Sequence, residues 1–103
     1  MKKIIDSKVY DTSTATKIAD NWNGVGSNDF NYQCETIYRT KKGTFFLHGD
    51  GGANTKYATH NGNWRNAGET IIPLTKGEVY QYLEDWNETE LIDKLFPYKI
   101  EEA

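Results

Sequence analysis

The stretch CETIYRTKKGTFFLHG, residues 34–49, decides the expected fold of this 103-residue chain. Two runs rich in β-branched and aromatic residues, 34–40 and 44–48, flank the connection Lys41-Lys42-Gly43. A three-residue connection that ends in glycine is typical of a β-hairpin whose last loop residue is left-handed. The sequence therefore predicts a hairpin at about 34–48 with an antiparallel sheet built around it.

Helical patterns lie on both sides of this hairpin. The apolar residues at positions 15, 18, 19 and 22 follow the i, i+3, i+4, i+7 spacing, which predicts an N-terminal helix at about 13–22. The segment TKGE, 75–78, has the spacing of a capping box, and Pro97 should end the helical region that follows. We therefore expect an α+β fold: a small, mostly antiparallel sheet with one N-terminal helix and two short C-terminal helices, at about 76–96, packed on it.

Between the hairpin and the last strand, the chain is rich in turn-forming residues. Residues 49–68 contain five glycines and four asparagines, which predicts an irregular loop before ETIIPL resumes as a strand. A phosphate-binding loop would need a glycine followed directly by a lysine, and a helix that begins there. In this stretch no lysine follows a glycine, and no helical pattern follows the glycines. The glycines are therefore expected to let the chain turn.

Length and composition limit the class of protein. The chain has the size of one domain, 1–103, and its 14% aromatic residues can build a core although only 37% of residues are hydrophobic. One cysteine, Cys34, excludes an internal disulfide, and no apolar run is long enough to span a membrane. We expect a protein of a reducing cytoplasm with no membrane contact, as a monomer or a homodimer.

Charge is unevenly distributed along the chain. Residues 78–103 hold two lysines against eight acidic residues, although the whole chain carries a net charge of only −3. Such a surface could bind a basic protein groove in place of nucleic-acid phosphates, or it could be an ordinary solvated helix face. The predicted contacts to a protein partner are Glu84, Asp85, Glu88, Glu90 and Asp93 on the helices, with Tyr57, Trp64 and Arg65 in the loop.

Basic and aromatic residues are also interleaved, which suggests a different partner. Lysine and arginine beside exposed rings can neutralise phosphates and stack on bases. The residues predicted for this alternative, nucleic-acid binding, are Arg39, Lys41, Lys42, Lys56 and Arg65.

A catalytic site finds little support in the sequence. His48, Asp50 and His60 could form a hydrolase or metal site, but their spacing matches no compact ligand set. Cys34 begins a strand, where a cysteine usually acts as a small buried hydrophobe. We therefore predict a protein that is not an enzyme and that uses no metal, no cofactor and no small-molecule substrate.

Three segments resemble a known group of proteins. KKIIDSKVYDTSTATKIA (2–19), YRTKKGTFFLHGDGGANTKY (38–57) and ETIIPLTKGEVYQYLED (69–85) are similar to small proteins carried by phages, plasmids and integrative elements of Gram-positive bacteria. The resemblance covers most of residues 2–86, and the group includes anti-CRISPR inhibitors. It implies a bacterial cytoplasmic protein that binds a CRISPR effector, of the type II DNA-cutting class, or the complex of that effector with guide RNA. The alternative is a small nucleic-acid-binding accessory protein of a mobile element.

Overall fold

The computed structural model describes residues 1–102 and consists mostly of β-structure. The elements are β1 Lys2–Ile5, β2 Lys8–Asp11, β3 Thr16–Trp22, β4 Gln33–Arg39, β5 Phe45–Gly51, β6 Thr59–Asn61, β7 Trp64–Asn66, β8 Gly68–Leu74, α1 Lys76–Asp85, α2 Thr89–Leu95 and a 3-10 turn Pro97–Lys99. A four-stranded antiparallel sheet has the order β3-β4-β5-β8, and the pairs β1-β2 and β6-β7 form two further small sheets.

The hairpin predicted from residues 34–48 is formed by β4 and β5. Arg39 pairs with Phe45 at its closed end, and Gly43 in the turn has a φ of 89°. This left-handed conformation is the reason for the glycine, because a side chain there would be strained. The prediction of this hairpin is confirmed.

The predicted fold class is wrong, because the expected N-terminal helix is absent. No helix is present at 13–22; Thr16–Trp22 instead forms β3, which pairs with β4 and has a register shift between Lys17 and Ala19. Asp11 does cap a turn, since its Oδ1 accepts the Ser13 N–H at 2.9 Å, but the turn does not continue as a helix. Residues 1–102 form a small, mostly-sheet structure of eight strands in three sheets, and both of their α-helices are C-terminal.

The 49–68 region is also more regular than expected. Strand β5 continues through His48 to Gly51, and residues 59–66 form the β6-β7 hairpin. An irregular loop remains only at 52–58, before this hairpin.

The central sheet is covered on both faces. On one face, α1 buries Val79 and Leu83, α2 buries Ile92, and the residue after α2, Phe96, is buried with them against sheet residues that include Leu47. The other face is covered in part by the β1-β2 hairpin, where Tyr10 packs on Phe46 and Ile71. Within residues 1–102 no helix is long and apolar enough to cross a membrane.

Candidate interaction surfaces

The predicted acidic residues lie on both sides of the turn between the C-terminal helices: Glu84 and Asp85 end α1, Glu88 precedes α2, and Glu90 and Asp93 lie within α2. Helix α1 begins with the predicted capping box, in which Thr75 and Glu78 bond reciprocally. It ends in a Schellman motif: Asn87 has a φ of 57°, and the Asn87 and Glu88 N–H groups donate to the carbonyls of Glu84 and Leu83. We call the five acidic residues around this turn the acidic helix surface: Glu84, Asp85, Glu88, Glu90 and Asp93.

The carboxylates of this surface are not neutralised by lysine or arginine. Four of the five side chains are exposed, Glu88 is half-buried, and none of them takes part in an ion pair within the described chain. The nearby Lys99 ammonium instead lies 4.8 Å from the centre of the Tyr80 ring. Asp85 accepts a hydrogen bond from Gln81 at 3.0 Å, and a hydrogen bond to Glu84 raises the pKa of the Tyr80 phenol.

Glu84 and Asp85 also lie where helix electrostatics disfavours them. They occupy the last turn of α1, which contains no basic residue. The carbonyl end of a helix carries partial negative charge, so an acidic side chain there is destabilising. This placement is unfavourable for the helix itself, and binding to a positively charged partner would relieve it.

The three loop residues predicted to contact a partner differ in exposure. Tyr57 is only 8% exposed, and its hydroxyl donates to the buried carboxylate of Glu35, so we do not retain it as a partner contact. Burial and the neighbouring carboxylate hold the pKa of Tyr57 well above its usual range. Trp64 and Arg65, by contrast, are exposed on β7, and the Trp64 side chain is 77% exposed.

The five residues of the nucleic-acid alternative do not form one surface. Arg39 lies over the Phe45 ring at 5.0 Å, near the exposed Lys41 and Lys42 of the β4-β5 turn. Lys56 is paired with Glu35 at 3.0 Å, and Arg65 is carried by the separate β6-β7 hairpin. Only the residues at the β4-β5 turn are close together in the chain.

His48, Asp50 and His60, the residues considered for a hydrolase or metal site, do not come together in one cluster either. His48 Nε2 lies 2.9 Å from Glu69 Oε2, and Asp50 pairs with Glu69 across β5 and β8. Asp50 and Glu69 line a cleft of about 310 Å³, and burial is the main cause that raises the pKa of Asp50. His60 is exposed on β6, and residues 1–102 contain no cluster of three metal-binding side chains.

Cys34 occupies a half-buried position between two strands. It pairs with Trp22 on β3 and with Asp50 on β5. No hydrogen bond joins its sulfur to His48 among the described residues.

Comparison with protein families, with curated proteins and with solved structures finds no match to this chain. Function is therefore inferred from the residues and surfaces described above.

Proposed function

We propose that this chain is a mobile-element protein that inhibits a type II CRISPR nuclease by binding the effector directly. Two observations support the proposal: the resemblance of residues 2–86 to a group that includes anti-CRISPR inhibitors, and the unneutralised acidic helix surface. The second carries the proposal. Carboxylates in the last turn of α1 destabilise the helix, and a role in binding would explain why they are present.

The proposed mechanism is competition with nucleic acid. The channel of a CRISPR nuclease is positively charged, because it holds a heteroduplex of guide RNA and target DNA by its backbone. Glu84, Asp85, Glu90 and Asp93 would present carboxylates to this channel in place of phosphates. Association steered by such charges weakens as salt rises.

The β6-β7 hairpin supplies a second candidate contact. Trp64 is the most exposed of the large hydrophobic side chains, and Arg65 is exposed beside it. Tryptophan and arginine are enriched among residues that dominate binding energy at protein interfaces. In this proposal the acidic helix surface guides the encounter, and Trp64 anchors the complex.

A cleavage assay with a purified type II nuclease and guide RNA tests the proposal. The unmodified protein should co-purify with the nuclease and reduce target-DNA cleavage. E84K/D85K should lose inhibition by at least about tenfold, since two charge reversals in a steered interface act together. Adding the protein before or after the guide RNA, and before or after the target DNA, identifies the step that is blocked.

A control with the same change in net charge makes the test specific. E101K/E102K reverses two exposed acidic residues outside both helices. It should inhibit as the unmodified protein does, whereas an equal loss in both variants would show that overall charge matters and the acidic helix surface does not. Absence of binding to the nuclease at low salt, with or without guide RNA, would reject the proposed function.

A further inference from the structure

A groove lies on a different part of the molecule, between the β1-β2 hairpin and the β4-β5 turn. It has a volume of about 520 Å³. One wall is the β1-β2 turn and the start of β2, and the other is the turn that follows Arg39. We call it the lysine groove, after the side chains that define it: Ser7, Lys8, Thr40, Lys41, Lys42 and Thr44.

The lysine groove has an excess of positive charge. Its three lysines are exposed, and none of them is in an ion pair within the part of the chain that is described. The carboxylate in its lining belongs to Asp11, whose Oδ1 already accepts the Ser13 N–H at 2.9 Å and the Ser13 hydroxyl at 2.7 Å. These hydrogen bonds lower the pKa of Asp11. The lining therefore contains three cations and one carboxylate, and that carboxylate is already hydrogen-bonded to Ser13.

Hydroxyl groups in the lining complement the lysines. Thr40 Oγ1 accepts the Thr44 N–H at 3.1 Å, which leaves its hydroxyl proton free to donate to a ligand. Ser7 and Thr44 add two further hydroxyls. The two walls thus contribute both ammonium and hydroxyl donors to the lining, and such donors bind phosphate oxygens.

The rim of the groove is held in a strained conformation. Asp6 and Ser7 have φ values of 51° and 63°, although neither is glycine. A tight turn of this kind favours glycine at its second position, and a serine there has a conformational cost. The turn places Ser7 and the following Lys8 in the lining of the groove. Strained backbone of this kind is often found at binding sites.

Both walls are fixed to the central sheet. Tyr10, on the same hairpin as Ser7, is 5% exposed and packs edge-on against Phe46 with ring centres 5.5 Å apart. Lys41 and Lys42 lie in the short turn that joins β4 to β5. The groove is therefore formed before a ligand arrives, which lowers the entropic cost of binding.

We infer that the lysine groove binds phosphate groups, supplied either as free phosphate or by the backbone of a nucleic acid. This inference is independent of the proposed function, because the groove shares no residue with the acidic helix surface. The sequence already suggested Lys41 and Lys42 for nucleic-acid binding, but it could not add Ser7 and Lys8, which line the same groove only when β2 packs on the sheet through Tyr10.

Fluorescence anisotropy with a short labelled single-stranded oligonucleotide tests the inference. K41Q/K42Q and K94E lower the net charge equally, but only the first pair lines the groove. K41Q/K42Q should weaken binding by about tenfold and lower the salt slope by about 1 for each lysine removed. K94E should leave both quantities unchanged, and K8Q, in the opposite wall, should weaken binding independently.

Competition by inorganic phosphate at constant ionic strength distinguishes the two sources. Displacement of the oligonucleotide shows that free phosphate is sufficient, whereas binding without displacement shows that the nucleic-acid backbone is required; both results support a phosphate site. The inference is overturned if neither probe binds at low salt, or if K94E weakens binding as much as K41Q/K42Q.

Discussion

The hydroxyl of Tyr57 donates a hydrogen bond to the buried carboxylate of Glu35, and this contact holds the segment after β5 against the sheet. Lys56 Nζ lies 3.0 Å from the same carboxylate oxygen. The Tyr57 ring lies directly on Gly49, where a Cβ atom would be 2.1 Å from Tyr57 Cζ. Glycine at 49 is thus required by the packing of an aromatic ring on the sheet.

Gly49→Ala should destabilise the protein by about 1–3 kcal/mol, because the added methyl group and the Tyr57 ring cannot share this space. Urea denaturation gives the free energy of unfolding. Gly26→Ala is the matched control, since a Cβ at Gly26 has no atom within 4 Å. Equal stability of the two variants would contradict the packing described here.

Stability should fall as pH rises above about 10, in part because of Tyr57. Its pKa is raised by burial and by the Glu35 carboxylate, so the folded protein keeps a phenolic proton that the unfolded chain loses. The contribution of one such group is at most about 1.4 kcal/mol per pH unit. Denaturation between neutral and alkaline pH should show a shallower decline for Tyr57→Phe, and an unchanged slope would contradict the assignment.

The hairpin and the C-terminal helices could be predicted because their signals are local. A glycine-closed turn and a capping box each fix the backbone within a few residues, and both are present at Gly43 and Thr75. The prediction of an N-terminal helix at about 13–22 was wrong because the apolar residues at 15, 18, 19 and 22 cover only about two helical turns, which is too short a pattern to exclude a strand. Asp11 supplied a real capping signal, but pairing with β4 determined the conformation of the residues that follow.

The acidic helix surface could be proposed from the sequence, because Glu84, Asp85 and Glu88 are close along the chain. The burial of Tyr57 could not be predicted from the sequence, since it depends on Gly49 and on the Glu35 carboxylate from β4. A buried glutamate in a strand gives no signal in the sequence until its partners are known. Contacts between distant segments were therefore the part of the site that the sequence could not provide.

Asp50→Asn should raise the free energy of unfolding near neutral pH. Burial is the main cause that raises the pKa of Asp50; the charge of His48 opposes this rise, and the weaker repulsion from Glu69 adds to it. A carboxyl group with a raised pKa contributes stability only while it is protonated, and this contribution is lost as pH rises past its ordinary value. The gain in Asp50→Asn should therefore vanish below about pH 4, and a gain that persists there would contradict this cause.

Ser7→Gly should stabilise the protein by about 1 kcal/mol, because glycine adopts the left-handed conformation of this turn without strain. The reverse change at Gly62, which has a φ of 61°, should cost a similar amount. Thermal and urea denaturation of Ser7→Gly and Gly62→Ser measure both effects. The hydroxyl removed from the lysine groove should also weaken phosphate binding, so stability and affinity should change in opposite directions.

Glu84→Lys should raise the midpoint of thermal unfolding by a few degrees while it weakens inhibition of the nuclease. A lysine in the last turn of α1 interacts favourably with the carbonyl end of the helix, which has no basic residue there. Glu78→Lys makes the same change in charge in the first turn, where Glu78 Oε1 accepts the Thr75 N–H at 2.9 Å, and it should destabilise the protein. A stabilised Glu84→Lys that no longer inhibits would show that this acidic residue is kept for binding. If it inhibits fully, the last turn of α1 makes no contact with the effector.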